Sequence, residues 1–176
     1  MTGDTTGTLA LVGGAEWREG CRKFDAALLE AAGTDEVLVL PTAAAFENPG
    51  RAVETARRYF DELGAHVSGL MVLGRTEAED PTNAAVVRAS RFVYIGGGSP
   101  MHLRSVLKGS RLWEALVEAW NDGAVLVGID EQTALLRDPD GGWRVAGQGS
   151  VTLYGPGRDE VAVNGADSPV DRLPPG

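Results

Sequence analysis

Five short apolar segments, each separated from the next by residues with helical spacing, constrain the fold of this chain more than any other sequence feature. Continuous apolar runs of this length are typical of strands buried on both faces of a sheet. They are Thr8–Val12, Glu36–Leu40, His66–Leu73, Arg91–Ile95 and Ala124–Gly128. The helical segments are Arg22–Ala32, about Gly50–Leu63, one that opens at Asp80-Pro81, Met101–Leu107 and Ser110–Asn121. This alternation predicts an α/β fold with an open, mostly parallel sheet flanked by helices.

Beyond the fifth strand the pattern changes to that of antiparallel strands. Two short segments, Ala134–Arg137 and Trp143–Ala146, flank a turn rich in Asp, Pro and Gly, which predicts a C-terminal antiparallel hairpin. Ser150–Tyr154 follows as one more candidate strand. These strands would extend the parallel sheet on one side.

The domain organisation follows from the length of 176 residues, which fits one domain with a single core. We expect a single α/β domain at 1–154. Pro, Gly and Asp predominate in the remaining segment, 155–176, so we expect a partly disordered tail there, with one weak strand at Val161–Val163.

Charge and composition exclude several classes of function. Sixteen basic against 25 acidic residues give a net charge of −9, which argues against nucleic acid as a partner. No apolar run approaches the roughly 20 residues of a membrane span. Two histidines and one cysteine offer no zinc-like cluster, and neither a Walker loop nor a dinucleotide fingerprint is present, so we expect no metal and no cofactor. The first residues lack a secretory signal, and we expect a cytoplasmic protein.

The loop Gly96–Ser99 is the most informative candidate site. Ligands of open parallel sheets collect at the carboxyl ends of the strands, where this loop follows the fourth strand. Three consecutive glycines expose backbone N–H groups that can form an oxyanion hole or a phosphate cradle. The alternative is a turn that only needs a positive φ angle, and the residues alone leave both open.

A second candidate is the polar cluster Asp130-Glu131-Gln132, which directly follows the fifth strand. Its functional interpretation is a set of ligand-facing side chains. The alternative is a helix N-cap, in which Asp130 accepts backbone N–H bonds.

Isolated residues point less clearly to chemistry. His102 follows the glycine loop and could act as a general base, although a surface or helix role is commoner. Cys21 has no histidine nearby in sequence, and we expect a buried, inert thiol. Helical spacing predicts a core stripe of Trp113, Leu116, Val117 and Trp120.

Four motifs follow one another along the chain: a first strand ending in Gly-Gly, the segment Leu40-Pro41-Thr42-Ala43, the segment Tyr94–Gly98, and the segment Gly128–Leu135 followed by Trp143-Arg-Val. In this order they resemble the cyanophycinase and dipeptidase E family of serine peptidases. The likeness runs from about residue 8 to 154. It implies a class I glutamine-amidotransferase-like fold, cleavage of peptide bonds next to acidic residues, and a catalytic triad of serine, histidine and a carboxylate.

The chain departs from that family where catalysis should lie. Family members carry a Gly-x-Ser-Ala-Gly-Ala elbow with the nucleophile, and a histidine some tens of residues later. Here the strand Gly123–Val127 leads straight into Gly128-Ile-Asp-Glu131, which family members reach only after that histidine. The elbow and histidine segments are therefore interpreted as missing. An alternative alignment places Asp130 at the nucleophile position, and it too lacks the serine.

The residues that carry over by resemblance are few. Gly97 or Gly98 would supply an oxyanion-type backbone donor, and Ser99 would line the substrate pocket. Glu131, with Thr133, would form the wall of the site, and Asp130 stays a substrate-binding candidate from the polar cluster.

Two hypotheses of function follow. The first is a serine-peptidase-like protein with impaired catalysis, whose ligand is a small peptide or an amino-acid-like molecule. The second is a non-enzymatic binding module that uses the glycine loop and the pocket of Asp130 and Glu131. A homodimer is possible in either case, because losing a strand would expose a sheet edge.

Overall fold

The computed structural model describes residues 6–12, 16–129, 133–137, 142–147, 150–155 and 158–163. The strands are β1 (Leu9–Val12), β2 (Glu36–Leu40), β3 (His66–Gly69), β4 (Phe92–Ile95), β5 (Val125–Ile129), β6 (Thr133–Arg137), β7 (Trp143–Gly147), β8 (Ser150–Gly155) and β9 (Arg158–Val163). The helices are α1 (Arg22–Ala32), α2 (Pro49–Asp61), α3 (Arg75–Ala78), α4 (Pro81–Ala89), α5 (Pro100–Leu107) and α6 (Arg111–Asn121). Short 3₁₀ turns lie at Glu19–Cys21 and Thr42–Ala44.

The main sheet has the strand order β3-β2-β4-β5-β1-β6-β7. The first five strands in this order are parallel, which confirms the prediction of a mostly parallel α/β sheet. β6 pairs antiparallel with β1, and β7 pairs antiparallel with β6. β8 and β9 form a separate two-stranded antiparallel sheet. β9 begins at residue 158 and so extends the weak strand expected at Val161–Val163.

Helices cover both faces of the parallel strands. On one face, Phe24 and Leu28 of α1 and Phe60 of α2 pack against Phe92 and Tyr94 of β4. On the other face, side chains of α3 to α6 pack against the opposite side of the same strands, and they include Ala78, Val87, Val106, Leu112 and Leu116. Alternate residues of each strand thus enter different cores, which explains why the strands are apolar throughout.

Side-chain caps fix where the helices begin. Asp80 accepts a hydrogen bond from the Thr82 N–H at 2.8 Å, and Pro81 occupies the first turn of α4, as the sequence predicted. Asn48 caps α2 in the same way, through the Arg51 N–H at 3.0 Å. At the other end of α1, Gly33 adopts a left-handed φ of 61° and ends the helix.

Three predicted details are wrong. In α6, the buried stripe is Leu112, Ala115, Leu116 and Ala119. Of the predicted stripe, Leu116 is buried and Trp120 packs against the core, as expected, whereas Trp113 is 47% exposed. β3 ends at Gly69 rather than at Leu73. The short helix α3 was not predicted, because four residues carry no periodic signal.

Among the described residues, no helix is both long enough and apolar enough to pass through a membrane.

Candidate functional site

The candidate site lies where the chain leaves β2 and β4 toward opposite faces of the sheet. β2 leads through the turn Thr42–Ala44 to α2 on one face, and β4 leads through Gly96–Ser99 to α5 on the other. These two strands are neighbours in the sheet. Adjacent parallel strands whose connections diverge in this way leave a crevice at their carboxyl ends, which is where open α/β sheets bind ligands.

The two loops of this crevice are in direct contact. The Ser99 N–H donates to the Ala43 carbonyl oxygen at 2.8 Å, and the Gly96 N–H donates to the Leu40 carbonyl oxygen at 2.9 Å. Gly98 has a φ of 139°, and a Cβ atom there would lie 2.4 Å from the Ala43 oxygen. Glycine is therefore required at Gly98 for both its backbone angle and its close approach to the neighbouring loop.

The N–H of Gly97 already has an acceptor. It donates to the Oε1 atom of Glu16 at 3.3 Å, although the two residues are 81 positions apart in sequence. In the part of the chain that the structure describes, the Gly98 N–H makes no hydrogen bond. Of the two glycines predicted as oxyanion-type donors, Gly97 thus donates to a carboxylate, and Gly98 donates to no other described residue.

Glu16 is held over the loop by its neighbour, Trp17. Trp17 has a left-handed φ of 59°, which costs a non-glycine residue about 1–3 kcal/mol. Its indole is buried and packs on the ring of Tyr94, with 5.5 Å between ring centroids. Burial of the indole offsets the backbone strain, so the packing of Trp17 fixes the position of Glu16.

Ser99 acts as the N-cap of α5. Its Oγ atom accepts a hydrogen bond from the His102 backbone N–H at 3.3 Å, and Pro100 occupies the first turn. The predicted substrate-contacting serine thus lies on the glycine loop, and its hydroxyl also stabilises a helix.

The imidazole of His102 is directed elsewhere. Its Nε2 atom is 2.8 Å from the carbonyl oxygen of Leu73, and its ring lies 4.6 Å from the ring of Phe46, edge-on. The other histidine, His66, is exposed at the first position of β3, at the amino end of the sheet. Within the described residues, no serine hydroxyl is hydrogen-bonded to a histidine ring.

Beneath the loops lies a group of buried polar atoms without partners among the described residues. They are Thr42 Oγ1, Tyr94 hydroxyl, Trp17 Nε1 and Asp25 Oδ1. Burial, followed by the charges of Asp25 and Cys21, raises the pKa of the Tyr94 phenol well above its ordinary value. Tyr94 is therefore a neutral hydroxyl near the site and cannot supply a phenolate base at neutral pH.

Cys21 is buried, as predicted for an inert thiol. Desolvation is the largest cause of a raised thiol pKa, and the nearby charge of Asp25 adds to it. The thiolate that a nucleophile requires is thereby disfavoured.

The other predicted site residues fall at or beyond the limits of the description. Asp130 and Glu131 lie outside the described residues, as does the pair Gly13-Gly14. Thr133 is the first residue of β6 and pairs with Gly147 in the antiparallel ladder. Among the described residues, no group of three His, Cys, Asp or Glu side chains could hold a metal ion.

The sequence places Glu16 and Thr42 in loops that follow β1 and β2 at the ligand-binding edge of the sheet, but it does not show which atoms they contact, and it assigned no role to Tyr94. Thr42 and Tyr94 belong to the segments Leu40–Ala43 and Tyr94–Gly98, but nothing in these segments shows that the two hydroxyl groups are buried. Glu16 lies two residues after the pair Gly13-Gly14, and only the folded structure shows that its carboxylate contacts Gly97, 81 positions later in the sequence.

Comparison with known proteins decides the family. The model of peptidase family S51 matches residues 9–130, which is more than half of the chain. The chain belongs to peptidase family S51. This confirms the resemblance to cyanophycinase and dipeptidase E, and it covers β1 to β5 with the glycine loop between them.

Two solved structures share the fold of this S51 chain. The crystal structure of a peptidase from an acI-B1 actinobacterium has a TM-score of 0.83 and 21% identity, over 93% of this chain and 96% of that one. A putative peptidase E protein from Listeria monocytogenes has a TM-score of 0.52 and 20% identity, over 71% of this chain and 59% of the Listeria chain. No curated protein matches the chain.

Proposed function

We propose that this member of peptidase family S51 binds a small peptide or amino-acid-like ligand at the Gly97–Ser99 loop and hydrolyses peptide bonds slowly at most. The observation that carries the proposal is the hydrogen bonding of His102. Its imidazole bonds to the Leu73 carbonyl oxygen, while Ser99 Oγ caps α5 through the His102 backbone. This arrangement favours a structural role for both residues.

The chemistry explains why this matters. A serine hydroxyl becomes a useful nucleophile only when a base lies within about 2.6–3.2 Å to take its proton. Removing the nucleophile or the base from a serine protease lowers kcat by a factor on the order of 10⁶. Oxyanion donors alone retain a small part of the rate enhancement, so Gly97 and Gly98 without a nucleophile would support weak turnover only.

The first test is an activity assay on the full chain. Purified protein would be incubated with aspartyl dipeptides and, separately, with a fluorophosphonate that labels reactive serines. We expect neither turnover above background nor labelling. The controls are Ser99→Ala and His102→Gln; robust turnover that either substitution abolishes, or labelling at a single serine, would contradict the proposal.

The assay has to detect low rates of hydrolysis. The actinobacterial protein is named a peptidase, and this chain covers 96% of its length. Rapid peptide hydrolysis by this chain would therefore contradict the proposal that its catalysis is impaired. By resemblance, Glu131 and Thr133 would complete the wall of the pocket, and Asp130 would be a further ligand-facing side chain.

A second candidate function is a binding module without any catalysis. It is supported by the hydrogen bond between the Gly97 N–H and the Glu16 carboxylate, because this loop already accommodates a carboxylate oxygen. Thermal unfolding would be measured with amino acids and dipeptides present. A ligand at 100 times its Kd should add about 2.7 kcal/mol to the free energy of unfolding. No stabilisation by any of them would contradict this function.

A further inference from the structure

The carboxylate of Glu16 occupies the donor that the proposed function assigns to a ligand. Its Oε1 atom is 3.3 Å from the Gly97 nitrogen, and a Cβ atom built on Gly97 would lie 3.0 Å from the same oxygen. The side chain therefore lies directly over the glycine loop. A hydrogen bond from a backbone N–H to an ionised carboxylate is stronger than one to a neutral oxygen.

Packing of the neighbouring residue keeps Glu16 there. A Cβ atom on Gly96 would lie 3.6 Å from the Cη2 atom of Trp17, so the buried indole reaches under the start of the same loop. Trp17 also packs on Tyr94, two residues before Gly96. The same contacts therefore hold both Glu16 and the loop whose Gly97 N–H donates to it.

Among the described residues, Glu16 forms no ion pair with an arginine, lysine or histidine. Its charge contributes to the raised pKa values of Cys21 and Tyr94. In the part of the chain that the structure describes, the Gly97 N–H is the hydrogen-bond donor to this carboxylate.

We propose that Glu16 is an autoinhibitory residue, an internal carboxylate that a ligand's own carboxylate or carbonyl oxygen must displace from the Gly97 N–H. This inference rests on the proposed function in one respect, because it takes the Gly97 N–H to be a ligand donor. Glu16 weakens the binding of anionic ligands twice, first by occupying the donor and then by charge repulsion after its displacement. It is a positioning and specificity residue and takes no part in bond cleavage.

The first experiment tests the contact without any ligand. The amide resonance of Gly97 would be compared by ¹H–¹⁵N NMR in the wild type, Glu16→Gln, Glu16→Ala and the control Glu47→Gln, an exposed glutamate in the loop after Thr42–Ala44. We expect the Gly97 amide proton to move upfield in both Glu16 variants and to stay unchanged in the control. An unchanged resonance in Glu16→Ala overturns the proposal.

The second experiment tests displacement. Binding of L-aspartate and of the dipeptide Asp-Ala would be measured by calorimetry with the same four proteins. We expect both Glu16 variants to bind about tenfold more tightly than the wild type, and Glu47→Gln to bind like the wild type. Equal affinity in all four proteins overturns autoinhibition and leaves the proposed ligand site standing. If no variant binds either probe, the proposed function fails, and the autoinhibitory role fails with it.

Discussion

Asp25 is a carboxyl group with no exposure to solvent, on the face of α1 that packs against the sheet. Its Oδ2 atom accepts a hydrogen bond from the Tyr59 hydroxyl at 2.7 Å. Desolvation by burial raises its pKa from 3.8 to about 7, and the hydrogen bond from Tyr59 opposes this only in part. The folded protein therefore retains a proton on Asp25 that the unfolded chain releases at a lower pH.

This protonation predicts an unusual pH dependence of stability. Because the folded state binds the proton more tightly, the contribution of Asp25 is fully present below pH 4 and is lost as the pH rises toward 7. A difference of about three pKa units corresponds to a loss of about 4 kcal/mol. Urea unfolding of the wild type and Asp25→Asn between pH 4 and 8 would check this: the difference in unfolding free energy between the two should change over this range.

The matched control is Asp61→Asn, at an exposed aspartate at the end of α2. Its unfolding free energy should follow that of the wild type at every pH. A constant difference between the wild type and Asp25→Asn across the range would contradict the raised pKa of Asp25.

Gly98 provides a test of the loop geometry at the level of one residue. The substitution Gly98→Ala places a methyl group 2.4 Å from the Ala43 carbonyl oxygen, at a φ that side chains rarely adopt. The control Gly33→Ala also has a positive φ, of 61°, but no atom lies within 4 Å of the added carbon. We expect a loss of about 1 kcal/mol for the control and at least about 3 kcal/mol for Gly98→Ala in chemical unfolding. Equal losses would show that the two loops do not touch.

At the scale of elements, Arg75 connects α3 to the end of α5. Its guanidinium donates hydrogen bonds to the carbonyl oxygens of Val106, Lys108 and Gly109, at 3.3, 2.7 and 2.8 Å. The Val106 carbonyl group lies in the last turn of α5 and the other two directly follow it, where backbone oxygens lack helical partners. Since α5 begins at the glycine loop, this anchor also supports the position of Ser99.

We expect Arg75→Ala to lower the free energy of unfolding by about 1–3 kcal/mol, because hydrogen bonds from a charged donor are lost while the side chain is only half exposed. Arg75→Lys should recover little, since a lysine cannot reach three carbonyl groups with a planar fork. The comparison is Arg88→Ala, which removes an exposed ion pair with Glu118 and should cost less than about 1 kcal/mol. Similar melting temperatures for Arg75→Ala and Arg88→Ala would contradict this role.

At the scale of the whole molecule, strand order creates the site. β1 lies two positions from β4, with β5 between them, and yet Glu16, four residues after the end of β1, contacts Gly97 at the end of β4. The glycine loop, the turn after β2 and Glu16 thus come together only when the parallel strands are assembled in this order. Because these three segments are far apart in sequence, the sequence alone does not predict that they are in contact.

The predicted elements were recovered where periodicity is strong. α1 and β2 have the predicted bounds, and Asp80 caps α4 as expected. In α6, Leu116 and Trp120 were assigned to the core correctly, whereas the assignment of Trp113 was wrong because its neighbour Leu112 occupies the buried position. β3 was overextended, because apolar residues continue beyond the point where its pairing with β2 ends.

By itself, the sequence determined the mostly parallel α/β sheet and the glycine loop at the end of its fourth strand, because these depend on local periodicity and on residues without a Cβ atom. Only the tertiary structure decided that His102 bonds to Leu73, that Ser99 caps α5 and that Glu16 lies on Gly97. The physical reason is that a hydrogen-bond partner is fixed by the packing of distant elements. A sequence lists the donors and acceptors, whereas the strand order selects the pairs.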